Sequence, residues 1–583
     1  MIEWCPSKSQ MFQGLRTHLK MNRLGIRTFR RWGLLAAAMS FAAPVGATEV
    51  YRQGETAVRW DNTLKYSGGL RLDAPLRALI RGANGDDGDR NFQPGFISNR
   101  FDLLSEIIVS GVSGSTSWGA AVSGAAWYDT VYNGGNDGAK TEPPGFYVLP
   151  GTFAGAVRDL HGRKAELLNA FAYVGFDAGG NPLTLRVGRH TLLWGESLFF
   201  AGNGIAAGQA PVDAIKALSV PVTPAKEIYM PVAQISATFQ PLPDGTLAAY
   251  YQFEWRKTRL PGAGSYFSAA DFLDAGGERI YVGAQQYLMR SPDRRPPDNG
   301  QFGASLRVTG GAFDYGFYAL RFHAREPQLY LQPNPAAPTA ERRERPAAYG
   351  TAPGIVYGPS NSLNVLFPGG FGPTPGVVGS YWLTYPRGIE LYGASASGYV
   401  GNSNVAGEIS LRRRMPLVSS ALVVAPGAAP DADNNPLYAR GNTLHAQVST
   451  VMSFAPTAFW NAASFSAEIA ANHRLKVTHN PGALDATRDR SAAAVGAVFE
   501  PRYFAVLPGL DLGAPLSLSY GLKGRSSVDG SQTEGTGSVS LGVSATYRAV
   551  WSGSLSVTHF VGGASRQPFT DRDFISFSVQ RTF

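Results

Sequence analysis

The stretch Ser538-Val539-Ser540-Leu541-Gly542-Val543-Ser544-Ala545-Thr546-Tyr547-Arg548 decides the fold. Val539, Leu541, Val543, Ala545 and Tyr547 fall on one face, and Ser538, Ser540, Gly542, Ser544, Thr546 and Arg548 on the other. Side chains of a strand alternate between faces, so this period of two predicts a strand with one apolar and one hydroxyl-rich side. The pattern recurs upstream. Leu168, Ala170, Ala172, Val174 and Phe176 alternate with Asn169, Phe171, Tyr173 and Gly175. After the turn Ala178-Gly179-Gly180-Asn181-Pro182, Leu183, Leu185 and Val187 alternate with Thr184, Arg186, Gly188 and His190, which makes a hairpin. Ala233, Ile235, Ala237 and Phe239 run into Pro243-Asp244-Gly245, from which Leu247, Ala249, Tyr251, Phe253 and Trp255 return.

The alternation predicts about eighteen strands, within a range of roughly 14–18. They start near residues 56, 97, 117, 164, 183, 232, 246, 301, 312, 388, 405, 443, 462, 491, 515, 536, 552 and 572. Long links (71–96, 132–163, 195–231, 258–300, 324–387, 414–442) alternate with short ones (111–116, 178–182, 241–245, 310–311, 399–404, 455–461). Only the late links 478–490 and 504–514, similar in length, blur that rule. Short periplasmic turns at one rim and long extracellular loops at the other predict an all-β, transmembrane antiparallel β-barrel. An even count leaves both chain ends on the short-turn side. A soluble sandwich or propeller alternates too, but its core is rich in Val, Ile and Leu, and no fixed blade-length repeat is found.

Composition agrees. The chain has 583 residues, of which only 16% are charged and 11% aromatic. Soluble globular chains carry about 25% charge, so a soluble multidomain enzyme fits poorly. A helical membrane protein fits no better, because no stretch beyond the amino terminus is apolar enough to span as a helix. Gly33-Leu34-Leu35-Ala36-Ala37-Ala38-Met39 follows Arg23, Arg27, Arg30 and Arg31 and leads to Val45-Gly46-Ala47, the layout of a secretory signal. Residues 1–20 are read as an extension upstream of the true start, 21–47 as a signal peptide and 48–583 as the barrel. Cleavage after Ala47 removes seven basic residues and one acid and lowers the net charge from +9 to +3. The basic balance therefore belongs to the leader and argues no nucleic-acid partner. Cys5, the single cysteine, leaves with it. The carboxyl-terminal run Phe574–Phe583 places Ile575, Phe577, Val579 and Phe583 on one face, the form read by barrel-assembly machinery; Arg581 breaks it and is expected at the headgroup rim.

In a barrel the apolar face meets lipid and the other face lines the bore. Strand phase then assigns Glu106, Arg186, His190, Glu254, Arg256, Arg307, Glu408, Arg412, Glu468, Arg474 and Arg548 to the interior. With both signs present, mutual pairing is expected rather than an anion trap. So many strands enclose more space than side chains fill. The candidate filler is 195–231, too apolar for a loop in water, with Leu198, Phe199, Phe200, Ile205, Val212, Ile215 and Leu218 as its constriction residues. Pro211 is expected to open a short helix there.

Several strings resemble a large proteobacterial outer-membrane family catalogued as domain of unknown function 1302. They are Ile97-Ser98-Asn99-Arg100-Phe101-Asp102-Leu103-Leu104-Ser105-Glu106, Ala126-Trp127-Tyr128-Asp129, His161-Gly162-Arg163, Gly188-Arg189-His190-Thr191-Leu192-Leu193-Trp194-Gly195-Glu196-Ser197 and Tyr251-Gln252-Phe253-Glu254-Trp255. The resemblance implies an outer-membrane barrel that passes hydrophobic compounds, with a periplasmic or efflux-type transport partner, and it brings no binding residues.

Catalysis is not expected. His161, His190, His323, His445, His473, His479 and His559 lack metal spacing, and Ser197 beside Glu196 lacks the glycine-flanked elbow of a nucleophile. Gly202, Gly204 and Gly208 follow no phosphate-binding pattern. Asp87, Asp89 and Arg90 are read as part of a solvated loop rather than a calcium site. No cofactor or metal is expected. The expected function is passive passage of small hydrophobic or amphipathic molecules, lipid- or steroid-like, through a loop-constricted bore in the outer membrane. A general diffusion porin for polar solutes, and a surface hydrolase or adhesin, are the alternatives.

Overall fold

The computed structural model describes residues 48–80, 82–140, 151–282, 286–333, 376–425 and 427–583. The readings of 1–20, of the signal at 21–47 and of Cys5 lie outside the described residues. Among the described residues eighteen antiparallel strands close into a barrel. They are β1 Thr56–Arg71, β2 Gly95–Ser113, β3 Thr116–Asp129, β4 Arg163–Asp177, β5 Pro182–His190 and β6 Val232–Leu242. Next come β7 Gly245–Gln252, β8 Gln301–Gly310, β9 Phe313–Phe322, β10 Ile389–Val400, β11 Ser403–Pro416 and β12 Arg440–Phe454. The circuit ends with β13 Ala462–His479, β14 Ser491–Leu507, β15 Leu516–Lys523, β16 Gly537–Tyr547, β17 Trp551–Val561 and β18 Phe574–Thr582. Each strand pairs with its sequence neighbour, and β18 returns to β1 in the register Thr63↔Thr582 to Arg71↔Phe574. Closure leaves no barrel edge with unpaired backbone, the condition for strands to cross lipid. No helix among the described residues is long and apolar enough to cross a membrane.

Polarity is inverted relative to a soluble fold. Val448 and Leu541 are each 61% exposed, while Glu468 and Gln234 are each 1% exposed. The exposed apolar side chains form the lipid-facing belt, and the buried polar ones line or fill the bore.

Short and long connections alternate around the whole circuit. The 504–514 link, expected as a connection, is mostly strand. Leu510–Gly513 pairs back on β14 and continues toward β15, and Ala514-Pro515 interrupts the ladder because proline has no N–H. The turn itself is Pro508-Gly509, which leaves 480–490 as the long member of that pair. A further strand, Thr48–Gln53, makes a hairpin with the start of β1.

The expected placements of five residues are corrected. Leu168 is not on the lipid face. A register shift between Val122 and Gly124 turns it inward, where it packs with Leu104, Ala125 and Trp127. Strand β7 stops at Gln252, so Glu254 and Arg256 do not line the bore but hold the root of the next connection. There Glu254 pairs with Arg189 at 2.6 Å and accepts the Ala233 amide at 2.9 Å, and Arg256 donates to the Pro231 carbonyl at 2.9 Å. Trp255 is buried against Leu383 and Tyr385 rather than facing lipid. Arg548 is not in the bore either: it and Ala549 form the tight turn after β16 with φ of 51° and 56°. Arg581 stacks over Trp551, the first residue of β17, at 5.3 Å, and so sits at the short-turn rim.

The long loops are built, not loose. Five short strands, Arg279–Tyr281, Gln286–Arg290, Gln328–Pro333, Gly376–Thr384 and Leu422–Val423, form a second sheet over a core that includes Ile280, Leu288, Leu331 and Tyr381. Asp89 and Arg90 are buried, against the expectation of a solvated loop. Arg71 of β1 pairs with Asp89 at 2.6 Å and with Asp571 at 3.3 Å, and Arg90 pairs with Asp86, so charges taken out of water are matched.

Candidate functional site

Residues 191–231 leave β5, turn into the bore and return to β6. Two inner-wall carboxylates grip the loop by its backbone. Glu408 Oε2 accepts the Glu196 amide at 2.7 Å, and its Oε1 accepts the Ile205 amide at 2.8 Å. Glu468 accepts the amides of Leu198, Phe199 (2.9 Å) and Phe200 (3.3 Å). Arg412 closes the other side by donating to the carbonyls of Gly202, Asn203 (2.6 Å) and Gly204 (2.9 Å). His445 meets Asn203 Oδ1 at 3.0 Å, and Gln252 donates to the Gln209 carbonyl at 2.7 Å. A loop without regular hydrogen bonding needs such partners for its buried amides and carbonyls.

The glycines follow from this grip. A Cβ at Gly195, where φ is +93°, would lie 2.2 Å from Glu408 Oε2, and one at Gly204 would lie 2.9 Å from Glu408 Oε1. Their role is close approach to a carboxylate.

The second half of the loop docks on the opposite wall. Asp213, not Pro211, caps the short helix Ala214–Ser219 by accepting the Lys216 amide at 3.0 Å. Asp213 also pairs with Arg259, which reaches Glu166 of β4. Lys226 pairs with Glu106 of β2, and Lys65 of β1 donates to the Pro221 carbonyl. The loop therefore spans the bore from β14, where Phe199 lies over Gly496, to β1.

The expected constriction residues divide into two groups. Ile205 and Ile215 are buried; Ile205 packs among Tyr250, Tyr318, Leu320 and Leu391 of the inner wall. Leu198, Phe199 and Leu218 are exposed, and Phe200 and Val212 are half-buried, with Val212 bridged to Tyr229. The expected bore residues also spread out. Arg307 pairs with Glu196 of the loop at 3.5 Å, Arg186 lies over the Phe171 ring at 4.8 Å, and His190 meets Ser236 Oγ at 3.0 Å. Arg474 reaches Ser527 of a long loop at 3.2 Å.

Sequence reasoning passed over the wall to which the loop makes no polar contact. Among the described residues no hydrogen bond or ion pair joins 191–231 to β15–β18. The inner faces of those strands carry Ser517, Ser519, Ser538, Ser540, Ser544, Ser552, Ser554, Ser556, Thr558, Ser576 and Ser578. Ser554 meets Ser578 and Ser556 meets Ser576, each at 2.8 Å, and Ser540 meets Thr558. The signal was present as serines at every second position. Serine draws less notice than charge.

Two other polar clusters lie apart from this loop. His161 accepts the Gly262 amide at 3.0 Å and stacks on Tyr132, and burial holds its imidazole neutral, with a pKa lowered to about 3. Asp86, Asp87 and Asp271 bring carboxylate atoms within 4.8 Å of one another. Acid clusters alone do not make a metal site, and none is assigned.

A closed barrel with an apolar belt and a loop folded into its bore defines a transmembrane β-barrel of porin-like architecture. More narrowly, the family described as "Protein of unknown function (DUF1302)" matches residues 28–583, and the chain belongs to it. No curated protein matches. Among solved structures, Acinetobacter baumannii OccAB1 is similar with 9% identity and a TM-score of 0.42, covering 92% of this chain and 99% of that one. The outer membrane channel DcaP of A. baumannii gives 10%, 0.37, 92% and 100%, and Pseudomonas aeruginosa OpdK with vanillate gives 9%, 0.38, 92% and 100%.

Proposed function

We propose that the protein is a passive outer-membrane channel for small amphipathic solutes. The observation that carries this reading is the loop spanning from β14 to β1, which among the described residues makes no hydrogen bond or ion pair to the serine-rich wall of β15–β18. The loop itself exposes Leu198, Phe199 and Leu218. One side offers hydroxyls and the other an apolar surface, which suits a molecule with a polar and an apolar side. Purified protein in planar bilayers should give small steady steps, and liposomes carrying it should take up amphipathic solutes faster than sugars of equal size. Equal uptake of both would replace this reading with a general diffusion porin. No conductance and no uptake would sink both. Outer-membrane lipid and barrel-assembly machinery are the partners this reading requires; co-purification would identify a periplasmic or efflux-type transport partner.

A further inference from the structure

The start of the 253–300 connection meets the root of the inward loop around a cavity of about 620 Å³. Its apolar wall includes Trp255, Tyr385 and Met230. Trp255 is rigidly held: its indole N–H donates to the Ala324 carbonyl at 3.2 Å, and its ring packs edge-on against Tyr385 at 4.8 Å.

Five cations, Lys164, Arg256, Lys257, Arg259 and Arg295, and three carboxylates, Asp159, Asp274 and Asp293, line the same cavity. Lys257 pairs with Asp274, and Arg259 with Glu166 and Asp213. Arg256 and Arg295 differ, for among the described residues neither forms an ion pair with a carboxylate. Arg256 donates to the Pro231 carbonyl and lies 3.9 Å from the Met230 sulfur. Arg295 donates to the Trp255 carbonyl at 3.3 Å and lies 5.4 Å from the centre of the Trp255 ring. Each guanidinium keeps N–H donors to spare, in fork geometry suited to a carboxylate, and Arg295 lies beside the fixed Trp255 ring. Cavities of roughly 300–1,000 Å³ suit whole small molecules, and a bare inorganic anion would leave this one mostly empty.

We propose that this cavity binds small organic monocarboxylates with an apolar ring or short chain, the carboxylate on Arg256 and Arg295 and the apolar body against Trp255, Tyr385 and Met230. It rests on the channel reading only in being the first station of the path.

The test titrates the whole refolded barrel in detergent, at fixed ionic strength, with cyclohexanecarboxylate, cyclohexylmethanol and acetate in a calorimeter. Saturable binding of cyclohexanecarboxylate is expected. The alcohol, which lacks the charge, and acetate, which lacks the body, should each bind at least about tenfold more weakly. R256Q and R295Q should each weaken the carboxylate by a similar factor, and R256K should recover part of it. Absence of saturable binding, equal binding of the alcohol, or unchanged affinity in both glutamine variants would overturn the site. The comparison of ligands on the unmodified protein stands even if a variant fails to refold. Conductance of the same preparation reads the channel separately: conductance without binding removes this site alone, and binding without conductance removes the channel.

Discussion

Glu468→Gln tests the docked loop directly. The carboxylate accepts the amides of Leu198, Phe199 and Phe200, the last at a long 3.3 Å. Hydrogen bonds to a charged group are worth about 1.5–3 kcal/mol each, so the two closer ones total about 3–6 kcal/mol. Keeping the carboxylate out of water offsets part of that. A net loss of about 2–3 kcal/mol follows, because glutamine must also turn an N–H₂ toward at least one of these amides. That shifts the ratio of docked to undocked loop by about 30–150-fold. Single-channel recordings should then show frequent excursions to a larger conductance that the unmodified barrel rarely visits. If the variant migrates as a folded barrel and its conductance and noise match the parent, the loop is not held by this carboxylate and the reasoning fails.

Four further outcomes are expected. Deleting 199–210 removes the part of the loop anchored on β10–β14 and should raise conductance in planar bilayers. Gly195→Ala puts a methyl 2.2 Å from Glu408 Oε2 at a left-handed backbone position, so it should reproduce the noisy openings of the Glu468 variant. Ser540→Leu and Ser556→Leu place bulk on the serine-rich wall and should lower conductance, whereas Leu541→Val on the lipid face should not. Burial raises Asp86 to about 8, with repulsion from Asp271 adding to it, and burial raises Asp271 to about 6, so the folded loop binds protons more tightly than the unfolded chain. The strain is absent below the ordinary carboxyl range, grows as pH rises from there to these raised values, and is complete above them. Asp271→Asn should therefore slow proteolysis around residues 82–92 relative to the parent at pH 8.5 and leave it nearly unchanged at about pH 3, below the ordinary carboxyl range.

Much of the barrel was legible because a lipid-facing strand must alternate. Expected starts such as 183, 232, 301 and 491 fall within a residue of strands in the structure. Errors gathered where alternation continues past the structure it describes. Glu254, Arg256 and Arg548 keep the period of two, yet they lie beyond strand ends set by tertiary contacts and a tight turn. Leu168 fails for a different reason: a register shift reverses its face, and no local pattern announces one. The apolar loop was visible as a segment out of place in water. Glu408, Arg412 and Glu468 are legible as bore-facing residues, but their joint action on the loop backbone depends on strands more than two hundred residues away. The five-stranded loop sheet was missed because its strands are short and pair across three separate connections.

The distance in sequence between the loop and its holders also sets an order of events during biogenesis. Residues 191–231 leave the ribosome well before Glu408, Arg412 and Glu468. Their seat exists only after β11–β13 have taken their places, so an early intermediate must carry this greasy segment without its final home. Seating and the seam between β18 and β1 are thus late steps of maturation, and a barrel stalled before them would be leaky.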